Sequence, residues 1–134
     1  MYNIFITGVA GFIGFSLCKE LLKDKKNIFK FIQESKAVLI PSLWEDPGFV
    51  MIEAAYLNKT IISSDCPSGP KEFLNGGKGG FLFKSNNSTS LLRALQKFKK
   101  TSQKELNKKI IYANHRSSMY TSVYHKKLLT KYLT

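Results

Sequence analysis

Glu45-Asp46-Pro47-Gly48-Phe49-Val50-Met51-Ile52-Glu53 places two carboxylates, separated by seven residues, across a turn and the start of a helix. Pro47-Gly48 is a turn signal, and Phe49, Ile52 and Tyr56 recur at helical spacing. This predicts Glu45 in a loop and Glu53 about one turn into a helix. The first N–H groups of a helix have no intrahelical acceptor, and the helix dipole favours an anion such as a diphosphate beside them. On either side of the stretch stand apolar runs, Val38-Leu39-Ile40 before it and Thr60-Ile61-Ile62 after it. The second run leads through Ser63-Ser64-Asp65-Cys66-Pro67-Ser68-Gly69 into Pro70-Lys71-Glu72, a Pro/Gly turn followed by a new helix. The order is strand, loop, helix, strand, loop, helix.

Extended along the chain, this pattern predicts strands near 3–7, 37–41, 60–64 and 80–83. Helices are expected near 12–24, 28–35, 49–57, 70–75, 88–100, 103–114 and 117–132. Alternation of this kind defines an α/β class: a Rossmann-like parallel sheet of about four strands, helices on both faces, and a helical C-terminus. Ligands in such a sheet bind beyond the C-terminal ends of the strands, where Gly8–Gly14, Trp44–Phe49 and Asp65–Pro70 all fall. Asn87 or Ser88 is expected to cap the helix that carries Leu91, Leu92 and Leu95. Ile110, Ile111, Tyr112, Tyr120, Tyr124 and Leu128 are expected to pack the last helices onto the sheet rather than to stack nucleic-acid bases.

A length of 134 residues suits one domain, and a 43% hydrophobic composition supplies its core. No apolar run reaches the ~18 residues of a membrane span, and the N-terminus lacks the pattern of a signal peptide, so a cytoplasmic protein is expected. Cys18 and Cys66 are the only cysteines and have no metal-ligand spacing to His115 or His125. Small buried fillers, with neither a disulfide nor a metal site, are the simplest account of both. The formal net charge of +12 is uneven, because residues 84–134 carry twelve Lys and Arg against Glu105 alone. A solvated basic face is the plain reading, with weak peripheral contact to an anionic membrane surface as the alternative. Nineteen Lys against two Arg disfavour nucleic acid, since Arg supplies forked phosphate recognition.

Four segments together carry a resemblance: Val38-Leu39-Ile40-Pro41-Ser42-Leu43-Trp44-Glu45, the Glu-x7-Glu span, Ile61 through Glu72, and Gly79-Gly80-Phe81-Leu82-Phe83. In this order they resemble the C-terminal, donor-binding part of a family 4 retaining glycosyltransferase of GT-B fold, over about residues 27–134. The resemblance implies a nucleotide-sugar substrate and no required cofactor or metal. It also implies that Glu45 acts at the sugar as the catalytic-site carboxylate and that Glu53 accepts from the donor ribose. The N–H groups around Gly48, Phe49 and Val50 would face the leaving diphosphate, with Lys71 as a nearby cation. A GT-B enzyme holds its acceptor on a second domain, so these residues read as a truncated enzyme, weak or inactive without a separate acceptor-domain chain.

The N-terminus resembles something else. Thr7-Gly8-Val9-Ala10-Gly11-Phe12-Ile13-Gly14 follows a short β-type run and opens an apolar helical pattern, like the first βα unit of the NAD-dependent epimerases and dehydratases. That resemblance makes Gly8, Gly11 and Gly14 candidate NAD-binding residues, with Glu34 as the ribose-binding acid. It lacks the Tyr-x-x-x-Lys pair of those enzymes, for Tyr56 is followed by Thr60, Tyr112 by Arg116, Tyr120 by Tyr124 and Tyr124 by Leu128. The chain therefore reads as one Rossmann-like domain assembled from a dehydrogenase-like unit over 1–26 and a glycosyltransferase-like part over 27–134. The alternatives are an NAD-binding module and a non-catalytic basic fragment.

Overall fold

Four short strands pair side by side in the order in which they occur, and all are parallel. They are β1 (Ile4–Ile6), β2 (Ala37–Ile40), β3 (Thr60–Ser64) and β4 (Phe81–Phe83), taken from a computed structural model that describes residues 4–6, 28–45 and 48–124. Between and after them lie α1 (Ile28–Glu34), α2 (Phe49–Tyr56), α3 (Pro70–Phe73), α4 (Ser88–Lys100) and α5 (Gln103–Ser117). The expected helix over 12–24 lies outside the described residues, as do Cys18, Asp46, Pro47 and Leu128.

Every residue of β2 and β3 is buried, which is why β2 reads as a continuous apolar run and β3 carries Ile61-Ile62 with small hydroxyl residues at its ends rather than an alternating pattern. The pleat sends their side chains to opposite faces. Val38, Ile40 and Ile61 join Ile32 of α1, Met51, Ala54 and Ala55 of α2, Phe73 and Leu74, and Ala113 of α5. On the other face Ala37, Leu39, Ile62, Phe81 and Phe83 meet Ala94 and Phe98 of α4. Phe98 approaches Phe81 edge-on at a centroid distance of 5.9 Å, and truncating such a buried ring costs about 3–5 kcal/mol. Cys66 is buried, as expected of a filler.

Local chemistry sets the helix ends. The Asn87 side chain accepts from the Ser90 N–H at 2.7 Å and starts α4. Ser102 caps α5 in the same way, accepting from Glu105 N at 3.4 Å. At the C-terminus of α2, the Asn114 amide donates to the Ala55 and Tyr56 carbonyls at 3.2 and 3.3 Å, which fastens α5 across that helix. α3 stops at Phe73, short of the expected residue 75, because the chain turns at Asn75 and Gly76, whose φ values are 46° and 62°.

Two expectations about the C-terminal segment are corrected. The predicted helix over 117–132 is interrupted: Ser118–Tyr120 forms a single 3₁₀ turn and Thr121 is extended, with ψ 149°. Hydroxyls cause the break. Ser117, Ser118 and Thr121 donate to the carbonyls of Asn114, His115 and Ser118 at 2.7–2.9 Å, and the Thr121 hydroxyl then accepts from Tyr124 N. Ile111, expected to pack, is 68% exposed, because it lies on the side of α5 opposite Ala113 and Ser117. Tyr120 does pack, its ring 5.7 Å from that of Phe73.

Candidate functional site

The C-terminal ends of β2, β3 and β4 deliver three loops to one edge of the sheet, and polar bonds tie the loops together. Ser64 ends β3 fully buried, and its hydroxyl donates to the Ser42 carbonyl at 2.5 Å, so the loop after β2 is held by the next strand. The hydroxyl of Ser42 donates to Oε1 of Glu45. Beyond β3, Asp65 N donates to the Phe83 carbonyl and the Asp65 carboxylate accepts from Ser85 N, both at 2.8 Å. Glu45 is therefore oriented by its own loop, and that loop by β3.

Gly48 brings this carboxylate to the helix start. Its φ of 73° is left-handed, and a Cβ built on it would stand 3.6 Å from Oε2 of Glu45 and 3.3 Å from the Met51 methyl. The Gly48 carbonyl accepts from Met51 N at 2.9 Å and Ile52 N at 3.3 Å, which closes the first turn of α2. Among the described residues no acceptor is paired with the N–H groups of Phe49 and Val50. N–H groups of this kind, at the positive end of a helix dipole, favour an anion.

Glu53 lies on α2 four residues after Phe49 and three after Val50, so its side chain stands on their side of the helix and leans towards the N-terminus. Met51, Ala54 and Ala55 occupy the opposite, buried side. Burial raises the Glu53 carboxyl above its ordinary 4.5, because the charged form loses hydration there. Among the described residues it has no ion-pair partner. Glu45 and Glu53 thus flank the first turn of α2, one from the loop and one from within the helix. Large apolar side chains accompany them, with Trp44 63% and Phe49 67% exposed.

Lys71 is exposed in the first turn of α3 and, among the described residues, bonds to neither glutamate. Gly8, Gly11 and Gly14 lie outside the described residues. Glu34 stands at the end of α1, 3.9 Å from Lys30. Ser42, Ser64 and Asp65 were not singled out from the sequence as site residues. The available signal was Ser63-Ser64 closing an apolar run, since hydroxyls buried at a strand end require acceptors. Among the described residues no three of His, Cys, Asp and Glu group as metal ligands, and no helix is long and apolar enough to cross a membrane.

The family model described as glycosyl transferases group 1 matches residues 20–117. An uncharacterized glycosyltransferase of Methanocaldococcus jannaschii is 46% identical over 54 residues, which is 40% of this chain and 13% of that protein. The poly(ribitol-phosphate) alpha-N-acetylglucosaminyltransferase of Staphylococcus aureus (strain COL) is 31% identical over 80 residues, 51% of this chain and 16% of that protein. The chain thus spans less than a fifth of the curated relatives it matches. Among solved structures, a glycosyltransferase from Rickettsia africae ESF-5 superposes with a TM-score of 0.68 at 18% identity, over 97% of this chain and 39% of that one. TarM superposes with a TM-score of 0.60 at 20% identity, over 86% of this chain and 26% of that one. At these identities the likeness to solved structures is one of fold.

Proposed function

This chain belongs to the group 1 glycosyl transferases, and from that premise we propose that it is the nucleotide-sugar-binding part of a retaining, family 4-type transferase. The observation that carries the reading is the placement of the Glu45 carboxylate against Gly48, beside the two amides of α2 that no described residue engages. Ser42 occupies one oxygen of Glu45, which leaves the other for the hydroxyls of the transferred sugar. The N–H groups of Phe49 and Val50, with Gly48 giving close backbone access, take the diphosphate and stabilise the charge that grows on it as the glycosidic bond breaks. Glu53, as carboxylate, accepts from the ribose hydroxyls. Lys71 adds a positive charge at the same edge of the sheet. No cofactor enters the scheme.

The acceptor is held by a second domain in this reading, supplied by sequence or a partner chain beyond these residues. Transfer by the 134 residues alone is then slow or absent. Calorimetric titration with UDP- and GDP-sugars tests the proposal. Heat is expected from at least one donor, with at least a tenfold loss of affinity in Glu53→Ala, about 1.4 kcal/mol for a lost charged hydrogen bond. Silence towards both donor classes, or a variant that titrates like the parent, would sink it.

One observation favours a second reading. β1 pairs in parallel with β2 directly before Gly8, Gly11 and Gly14, as the first strand of a dinucleotide-binding unit does, and the family match begins only at residue 20. Titration with NAD decides it, and absence of binding removes it.

A further inference from the structure

Trp44, the only tryptophan of the chain, sits in a loop tip that two hydrogen bonds hold in place. The Ser64 hydroxyl donates to the Ser42 carbonyl, and the Ser42 hydroxyl donates to Oε1 of Glu45. Ser42 and Glu45 therefore turn their side chains toward each other across the bend at Leu43, and the two residues between them are left outside. Leu43 is 66% exposed, much as Trp44 is.

The bond to Ser42 turns one oxygen of Glu45 back onto its own loop. The other, Oε2, lies beside Gly48, and Phe49 follows directly with its ring exposed. Along the chain, this oxygen is thus bracketed by an exposed ring on either side. Elsewhere the large rings are put to use in the core, as Phe73, Phe81 and Phe98 are. A single apolar residue at a surface is ordinary, but Leu43, Trp44 and Phe49 gathered around one carboxylate mark a surface that receives a ligand.

We propose that Trp44 is the platform on which the transferred sugar stacks and that this sugar is a neutral hexopyranose, an inference that rests on the donor-binding reading above. One face of a pyranose presents axial C–H bonds with slightly positive hydrogens, which suit the negative face of an indole. Its hydroxyls point outward around the rim, where a carboxylate accepts them. A ring and an acceptor side by side read both parts of one ligand. The loop is set by Ser42 and Ser64 before the ligand arrives, so stacking costs little ordering. Phe49 is the poorer candidate, because it shares the side of α2 with Glu53 and so belongs to the ribose end. A uronic acid is disfavoured by charge: its carboxylate would meet that of Glu45, which no lysine or arginine among the described residues pairs.

The lone tryptophan makes the test direct. Its emission in the purified 134-residue chain is followed on titration with UDP, GDP, UDP-glucose, GDP-mannose and UDP-glucuronate, with calorimetry on the same samples. A saturable blue shift is expected from UDP-glucose or GDP-mannose and none from the matching free diphosphate. Trp44→Ala should weaken that sugar nucleotide about tenfold and leave the free diphosphate within about twofold, while Trp44→Phe recovers most of the loss. Both variants should melt with the parent, since the ring is exposed. Heat from a sugar nucleotide with unchanged emission would overturn the stacking, leave the donor reading standing and give the loop tip to a protein partner. Equal losses of UDP and UDP-glucose in Trp44→Ala would overturn it as well, by giving the ring to the nucleotide. UDP-glucuronate binding as tightly as UDP-glucose would overturn the neutral sugar. Absence of heat from every compound sinks the stacking and the donor reading together.

Discussion

The hydroxyl of Ser64 donates to the carbonyl of Ser42 at 2.5 Å, and through this one bond the end of β3 fixes the loop that presents Glu45. Neither of these two hydrogen bonds involves a residue of α2, yet the placement of a carboxylate at the start of α2 depends on both.

Ser64→Ala is therefore expected to leave the Ser42 carbonyl without its donor and to cost about 1–2 kcal/mol in urea denaturation. Donor affinity should fall along with stability. Ser42→Ala separates the two effects: this half-buried hydroxyl should cost under about 1 kcal/mol in stability while freeing Glu45 and weakening donor binding.

Gly48→Ala is predicted to destabilise by about 1–2 kcal/mol, the cost of holding an L side chain at a left-handed φ. The new methyl, 3.6 Å from Oε2 of Glu45, would also crowd the anion site. Thermal melting and a donor titration on the same sample check both halves.

Gly80→Ala should be worse, for a different reason. Its Cβ would lie 2.5 Å from the Ile61 carbonyl oxygen, a backbone atom of β3 that cannot move aside alone. A loss of about 3 kcal/mol or poor folding is expected, seen as a lowered denaturation midpoint.

Burial raises the Glu53 carboxyl above 4.5, so the folded protein binds this proton more readily than the unfolded chain does. The stability that Glu53 contributes is fully present below the unfolded pKa and is lost as pH rises through the folded one. Glu53→Gln should then be more stable than the parent at neutral pH and level with it on acidification. Donor affinity should run the other way in the parent, falling as pH drops through the raised pKa, and should be weak and flat in the variant. Melting curves and titrations across that range test both signs.

Lys109 is half-buried and donates to the carbonyls of Gly77 and Gly80, its ammonium 5.1 Å from the Phe81 ring centroid. Burial first, then Lys97, lowers its pKa from 10.5, while Glu105 opposes the shift. Lys109→Ala should cost about 2 kcal/mol, because two carbonyls lose a charged donor. Chemical denaturation at neutral pH gives the check.

The strand positions were legible because a parallel strand buried on both faces is apolar in its middle, as Ala37–Ile40 and Ile61-Ile62 are. The α4 start was legible because Asn87 bonds within its own turn. The break after α5 was not, because the helical spacing of Tyr120 and Tyr124 continues through it and the hydroxyls that interrupt it look like ordinary helix-surface residues. Ile111 was misread for a related reason: apolar character alone does not reveal which side of a helix faces the sheet.

The α/β architecture, and Glu45 and Glu53 on either side of a helix start, follow from the order of residues alone. Periodicity, turn residues and caps act within a few positions along the chain. The fold alone sets Ser64 against the Glu45 loop and Phe98 against Phe81. Both depend on strand register, which arises when side chains far apart in sequence pack on a common face.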